Sequence, residues 1–374
     1  MESYLQLGWA SDNLLEESSA LGFSGAIISP VDLEQSKVES RIKACSSLGL
    51  DFVLDPQLFI PADPVRSLSE WSFWPDVFKT QDSSDIKSWH QLADQVLECA
   101  DSIGCNTIAS PAILPKVFDD EYYSFFASVD KHARDSAPDG ISVLQTVIVE
   151  ADRLVDESNV YKIASLVSAH RADGYYLIFL DPQQPRPASS DVESLVNQAK
   201  LIRALRSTGA RVVVGHTFVD AILFGAAGAS ACATGKYLNV RNFEIKRFKP
   251  PRSGGGQKTY WFEESVLNLV AVEDMTSLAA DGLLSEHTLY NRYIDEVRTC
   301  ITQNRPWLRL SWLQYLNWFS IRACSVTPNN GLADDLLLSA RKTFEKVRDE
   351  RIDLHDTVND KFVRAFIRAF KDLG

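Results

Sequence analysis

Eight short β-prone apolar runs lie within the first 235 residues, and segments of helical pattern separate them. The runs are 5–10, 25–30, 51–57, 107–114, 142–149, 174–180, 211–217 and 229–234. Several, such as YYLIFL and RVVVG, are almost continuously apolar, as parallel strands covered on both faces require. The intervening helical stretches run near 12–21, 33–48, 86–103, 121–134, 157–170, 189–207 and 218–227, with Gly22 placed as a C-cap of the first. Eight such units in this length match a TIM-type (β/α)8 barrel, whose usual size is about 250 residues. The rival is a doubly wound open sheet, which usually carries a GxGxxG turn after its first strand. Here that turn reads GWASDN, and the barrel is the expected α/β fold.

The chain has 374 residues, so the barrel leaves a long C-terminal extension. We divide it into a barrel (1–235), a basic loop segment (236–262) and a helical extension (263–374). Within the extension, WLRLSWLQYLNWF reads as a buried helix, with Leu310, Leu313, Leu316 and Phe319 recurring every third residue. A last helix over 356–372, capped by Asp356, carries Val358, Phe362, Val363, Phe366, Ile367 and Phe370 on one face. That face either seals the barrel flank or docks a protein partner. The stretch 59–84, with Trp71 and Trp74, interrupts the rhythm after the third strand, as a lid over the site or as a surface loop with its own aromatic cluster.

Net charge is −12, which argues against a general nucleic-acid binder. None of the six cysteines forms a CxxC pair, so a structural zinc site is not expected, nor is a cofactor. The N-terminus lacks a basic and then apolar leader, and no apolar run reaches membrane-spanning length. The expectation is a cytoplasmic protein with reduced, buried thiols.

Chemistry in a barrel sits at the C-terminal strand ends. The third and sixth strands both end in Asp-Pro-Gln, which would aim Asp55 and Asp181 at the mouth. Paired carboxylates there suit acid, base or nucleophile work, or oxygen ligation of a divalent metal. Asp-Pro is equally a common strand-exit turn. Glu150 closes the fifth strand with the same two readings, and Asp152 reads as an N-cap of the following helix. Gln6 and Gln145 are candidates to line the pore. His216 is the histidine placed at a strand end, as an acid, a base or a structural hydrogen-bonding group.

The stretch after the seventh and eighth strands is where barrels often bind phosphate. Gly215, Thr217, Thr234, Gly235 and Lys236 offer small residues, hydroxyls and a cation for that task, or glycines that merely allow close packing. It is not a Walker loop, because Tyr237 stands where that motif needs Ser or Thr. From 236 to 258 the chain carries Lys236, Arg241, Lys246, Arg247, Lys249, Arg252 and Lys258 against one acid, Glu244. Aromatic residues interleave with these cations, a combination suited to a nucleic-acid backbone with stacked bases.

The stretch HTFVDAILFGAAGASACATGKYLNVRNF resembles the last βαβ unit of the tRNA-guanine transglycosylase family, which includes DNA deazaguanine transglycosylases. The resemblance covers roughly 30 residues and implies a barrel that exchanges a nucleobase through a covalent aspartate and binds nucleic acid on a basic surface. Two features depart from that pattern. The family's nucleophilic aspartate closes the eighth strand, where Ala233 or a neighbour stands here, and the Cys-rich zinc site of the tRNA enzymes is missing. If the chemistry persists, Asp55 or Asp181 must carry it. The expected function is therefore a transglycosylase-like, nucleobase- or nucleotide-modifying barrel on a phosphate-bearing, nucleic-acid substrate. The alternatives are a non-catalytic nucleic-acid-binding subunit and an enzyme of a small phosphorylated metabolite.

Overall fold

The computed structural model describes residues 1–8, 11–31, 33–60, 66–74, 85–181, 190–248 and 259–373, without the side chains of Arg66, Lys246 and Arg247. Eight parallel strands close a barrel in chain order: β1 (Glu2–Gln6), β2 (Gly25–Ile28), β3 (Asp51–Leu54), β4 (Thr107–Ala109), β5 (Ser142–Glu150), β6 (Gly174–Leu180), β7 (Arg211–Val214) and β8 (Ala231–Thr234). Between them lie α1 (Asp12–Leu21), α2 (Gln35–Ser47), α3 (Ile86–Ser102), α4 (Asp120–Ser136), α5 (Glu157–Val167), α6 (Val192–Ser207) and α7 (Ala221–Ala226). The expected (β/α)8 barrel is the observed one. Asp85, Asp119, Asp156 and Asp191 cap α3, α4, α5 and α6 by accepting from backbone N–H groups of the first turn. Each such cap contributes about 1 kcal/mol. Asp152 lies in the short 3₁₀ turn before α5, so the cap expected of it belongs to Asp156. Gly22 ends α1 in the left-handed conformation.

Strand pairing decides which side chains fill the pore. Partners side by side in a parallel sheet point to the same face. The registers put Tyr4, Gly25, Asp51, Leu144, Gly174, Arg211 and Ala233 on the inner face. The strand expected at 5–10 forms earlier, at Glu2–Gln6, because pairing Tyr4 with Ala233 and with Gly25 turns Tyr4 and Gln6 inward. Tyrosine and glycine alternate to fill the barrel: a Cβ on Gly25 would stand 2.7 Å from the Tyr4 ring. At the N-terminal end Tyr4 Oη donates to Asp51, and Arg211 bonds Asp51 at 2.9 Å and Glu2 at 2.7 Å. Gln145 pairs beside Tyr175, on the helix-facing side, so it does not line the pore as expected.

After the barrel strands come the hairpin β9 (Trp261–Glu263) and β10 (Asn268–Val270), then α8 (Val272–Ala280), α9 (Glu286–Leu289), α10 (Ile294–Thr302), α11 (Leu308–Ile321), α12 (Leu332–Asp349) and α13 (Lys361–Leu373). Leu310, Leu313, Leu316 and Phe319 of α11 are all buried, as the spacing predicts. This helix packs on β1 and α1, Tyr315 Oη lies 2.8 Å from Thr234 Oγ1, and Ser320 donates to the carbonyl of Leu21. It therefore occupies the place of the eighth barrel helix. The division at 235 is not a packing boundary, because α11 packs on β1 and α1 and its Tyr315 meets Thr234 of β8. Helix α13 begins at Lys361, so Asp356 is not its cap. It lays Phe362, Val363 and Phe366 against the barrel flank at α6, and Arg203 Nη1 donates to Leu373 O at 2.8 Å. The buried part of that apolar face is thus covered by the chain's own α6, the first of the two expected placements.

All six cysteines are buried and unpaired. Among the described residues no helix is long and apolar enough to cross a membrane.

Candidate active site at the barrel mouth

Asp55 follows β3 on the inward parity of Asp51 and Val53 and is 1 % exposed. Its carboxylate accepts from Gln57 N at 3.1 Å and from Gln57 Nε2 at 3.0 Å. Gln57 holds this geometry at φ +52°, in the left-handed region. His216, one residue past the inward Gly215, is also left-handed at φ +57° and buried, its ring edge-on to Phe243 at 5.2 Å. A non-glycine residue there carries strain on the order of 1 kcal/mol or more, which surrounding structure must hold in place. Two such residues follow β3 and β7 at the C-terminal end of the barrel.

Below Asp55, Tyr176 of β6 reaches across the pore and its Oη lies 3.4 Å from Gln6 Oε1. Among the described residues, Gln6 Nε2 and Gln57 Oε1 are buried without a hydrogen-bond partner. The bond to Asp55 fixes which way the Gln57 amide faces. Either orientation of the Gln6 amide leaves one of its polar atoms unused. A buried polar group left unsatisfied costs about 1–3 kcal/mol, a cost that a ligand or water donating and accepting there would remove. Phe59, Phe243 and Phe248 pack edge-on and tilted at 5.2–5.6 Å over this region, all buried.

The other carboxylates are placed less centrally. Glu150 shares the inward parity of Thr146 and Ile148 at the end of β5 and is partly exposed. Asp181 lies one residue beyond β6 and is partly exposed, and the alternation that turns Tyr176 and Ile178 inward puts it on the other face. The Pro182-Gln183 that follow it lie outside the described residues. Asp220, at the start of α7, accepts from Phe218 N at 2.5 Å, and burial pushes its carboxyl up to about 7.

The residues expected to cradle phosphate do other work. Thr217 spends both N–H and hydroxyl on Ala233 O, at 2.8 and 3.0 Å, and the Thr234 hydroxyl meets Tyr315. A Cβ on Gly215 would stand 2.7 Å from Tyr176 Oη, and one on Gly235 would run into Val240 and the carbonyl of Gln6. These glycines permit close packing. Lys236 is 6 % exposed, its ammonium 4.6 Å from the Tyr237 ring centroid and 4.9 Å from that of Trp312. Desolvation, then the nearby Arg41 charge, lowers its pKa to about 8.

Arg241 was expected on an exposed basic strip, but it is 4 % exposed. Its guanidinium lies over Tyr315 at 3.6 Å and donates to the carbonyls of Gly235 and Lys236 at 2.9 and 3.1 Å. It staples the turn after β8 to α11. Lys249, Arg252 and Lys258, with the side chains of Lys246 and Arg247, lie outside the described residues. The described part of 59–84 packs inward: Trp71 Nε1 donates to Leu33 O at 2.9 Å and its ring meets Phe73 at 5.4 Å. Among the described residues no group of three or more His, Cys, Asp or Glu is arranged to hold a metal ion.

The expected Asp55, Gln6 and His216 lie in the pore or at its mouth, with Gln57 and Tyr176, which the sequence did not single out, beside them. A polar residue directly after Asp-Pro and a tyrosine two positions past a strand's first glycine were the available signals.

No family model matches the chain, and no curated protein matches it. Among solved structures it is similar to an L-ribulose 3-epimerase, with 13% identity over 69% of this chain and 89% of that one at a TM-score of 0.39. It is also similar to the 3-dehydroquinate dehydratase from Aquifex aeolicus VF5, with 9% identity over 63% and 90% at 0.36. A third is XacCel5A in complex with cellopentaose, with 13% identity over 63% and 89% at 0.40. The class of the protein, a closed (β/α)8 barrel, rests on its own strand order.

Proposed function

We propose that the chain is an enzyme that binds a small, hydrogen-bonding substrate in the barrel mouth and works on it with the Asp55 carboxylate. The observation that carries this reading is the buried Asp55–Gln57 pair, strained at Gln57, beside the unused amide atoms of Gln57 and Gln6. A carboxylate held by two N–H donors keeps a fixed direction, which suits a nucleophile or a base. Glu150 and His216 are the groups available to move a proton at the same mouth. The finer reading, as the transglycosylase resemblance implies, is that the substrate is a nucleobase within a nucleic acid: Asp55 attacks the anomeric carbon and forms an ester as the C–N bond to the outgoing base breaks, that base takes up a proton, and the incoming base, giving up a proton, displaces Asp55. An amide edge that both donates and accepts suits the lactam edge of such a base.

The test is incorporation of labelled guanine into tRNA and into duplex DNA, with the native protein and Asp55→Asn. Incorporation that the variant loses by at least about a hundredfold, the scale of removing a catalytic acid–base group, supports the reading. Incorporation that is unchanged in the variant removes Asp55 from the chemistry. Nucleic-acid binding without incorporation, equal in both proteins, identifies a non-catalytic subunit instead.

A further inference from the structure

Helix α13 has two opposite faces. Phe362, Val363, Ala365, Phe366 and Ala369 are buried, and the helix packs against α6. Lys361, Arg364, Arg368 and Lys371 are exposed. Their spacing follows the helical repeat, so all four lie within an arc of about 80° on the side away from the apolar residues. At about 1.5 Å of rise per residue the row is about 15 Å long. Arg203 of α6, also exposed, meets its C-terminal end by donating to Leu373 O. The acids beside the row are Asp360 and Asp372. Asp360 is shared between Arg348 and Arg364, each at 2.8 Å, and Arg364 stays 64% exposed in that pair. A cationic line of this kind runs against the charge of the chain, which is −12.

We propose that this row docks the backbone of a nucleic-acid duplex. A partner must bring several negative charges within the length of the row. An acidic peptide is a poor occupant, because exposed ion pairs contribute only about 0–1 kcal/mol each and the peptide must be ordered to form them. A duplex carries one negative charge per about 1.7 Å, already ordered, and neutralising its phosphates releases counterions. An anionic bilayer is a plane and sets its charge against a wider part of an acidic chain, whereas a duplex touches along a line, as the row requires. Burial of the apolar face also withholds the side chains with which an amphipathic helix enters a bilayer. The row gives the nucleic-acid reading above a place for the backbone, and it needs no chemistry at Asp55.

The test is binding of a labelled duplex of random sequence between about 50 and 200 mM salt, the range over which phosphate contacts lose affinity steeply. The logarithm of the native affinity should fall with the logarithm of salt by about 3.6 or more, at about 0.9 for each of four phosphate contacts. Arg368→Gln with Lys371→Gln should reduce that slope by about 1.8. Both side chains are exposed, so far-ultraviolet circular dichroism should stay native. Lys37→Gln with Lys43→Gln makes the same charge change on exposed positions of α2, across the barrel, and should leave the slope as it is. Asp55→Asn should bind as the native protein does, so loss of the catalytic reading would leave this one standing. Absence of binding at about 50 mM salt overturns the proposal. So does a native slope in the Arg368 and Lys371 variant, or an equal reduction in the α2 control. Binding to anionic phospholipid vesicles that the α13 variant loses, without duplex binding, overturns it in favour of a membrane.

Discussion

Gly215→Ala separates a packing glycine from a ligand-binding one. A Cβ there would stand 2.7 Å from Tyr176 Oη, 2.8 Å from its Cε2 and 2.9 Å from its Cζ. Ordinary contacts for such a carbon begin at about 3.4 Å, so the ring must retreat by more than half an ångström. Tyr176 is completely buried in the pore and bonded to Gln6, so it has little room to move. Overpacking of this kind costs about 1–3 kcal/mol. Urea unfolding of the native protein, Gly215→Ala, Tyr176→Ala and the double variant would measure it. Tyr176→Ala alone should cost about 3–5 kcal/mol through the cavity it leaves. In that background the added methyl enters empty space, and its cost should vanish, giving a coupling of at least about 1 kcal/mol. A Gly215→Ala cost below about 0.5 kcal/mol, within the usual range of neutral surface changes, would refute the reasoning. So would an equal cost in both backgrounds.

Other outcomes follow from the same geometry. Asp220 has a carboxyl raised to about 7, so the folded chain binds its proton more tightly than the unfolded chain. Its contribution is fully present below the ordinary carboxylate value of about 4 and is lost as pH rises through about 7. Asp220→Asn should flatten the native slope in that window, and unfolding free energies at several pH values would show an unchanged slope if the assignment is wrong. His90 stacks on His132 at 4.1 Å, and burial, then that neighbour, lowers its pKa. Stability should therefore fall as pH drops below the ordinary imidazole value of about 6.5, less so in His90→Gln, which thermal melts in matched buffers would test. Arg241→Ala removes two charge-assisted hydrogen bonds and a stacked guanidinium, and a loss of about 2–4 kcal/mol is expected, measurable by urea unfolding. Truncation before Lys361 bares the apolar side of α6 and should give a destabilised chain that binds a hydrophobic dye, whereas a native melt would contradict the packing described.

The eight strands and their helices were legible because each obeys a local rule. Apolar runs of strand length and apolar residues at helical spacing need no knowledge of the rest of the chain. Asp55 was legible for the same reason, since a carboxylate at the end of a barrel strand faces the mouth if the parity is right. Parity itself was not legible: β1 forms three residues earlier than the apolar run suggests because its partners fix the register. The same property turned Gln145 outward and Tyr176 inward. The glycines and threonines after β7 and β8 carried the local signature of a phosphate cradle. Only packing shows that their hydroxyls and open faces are already taken by Ala233, Tyr315, Tyr176 and Val240. Arg241 belonged by sequence to a basic strip, and tertiary structure drew it onto Tyr315 of a helix about seventy residues further on. Sequence determines what each segment prefers by itself. Which polar groups remain available to a ligand is decided only when distant segments meet, because hydrogen bonds and burial are properties of pairs.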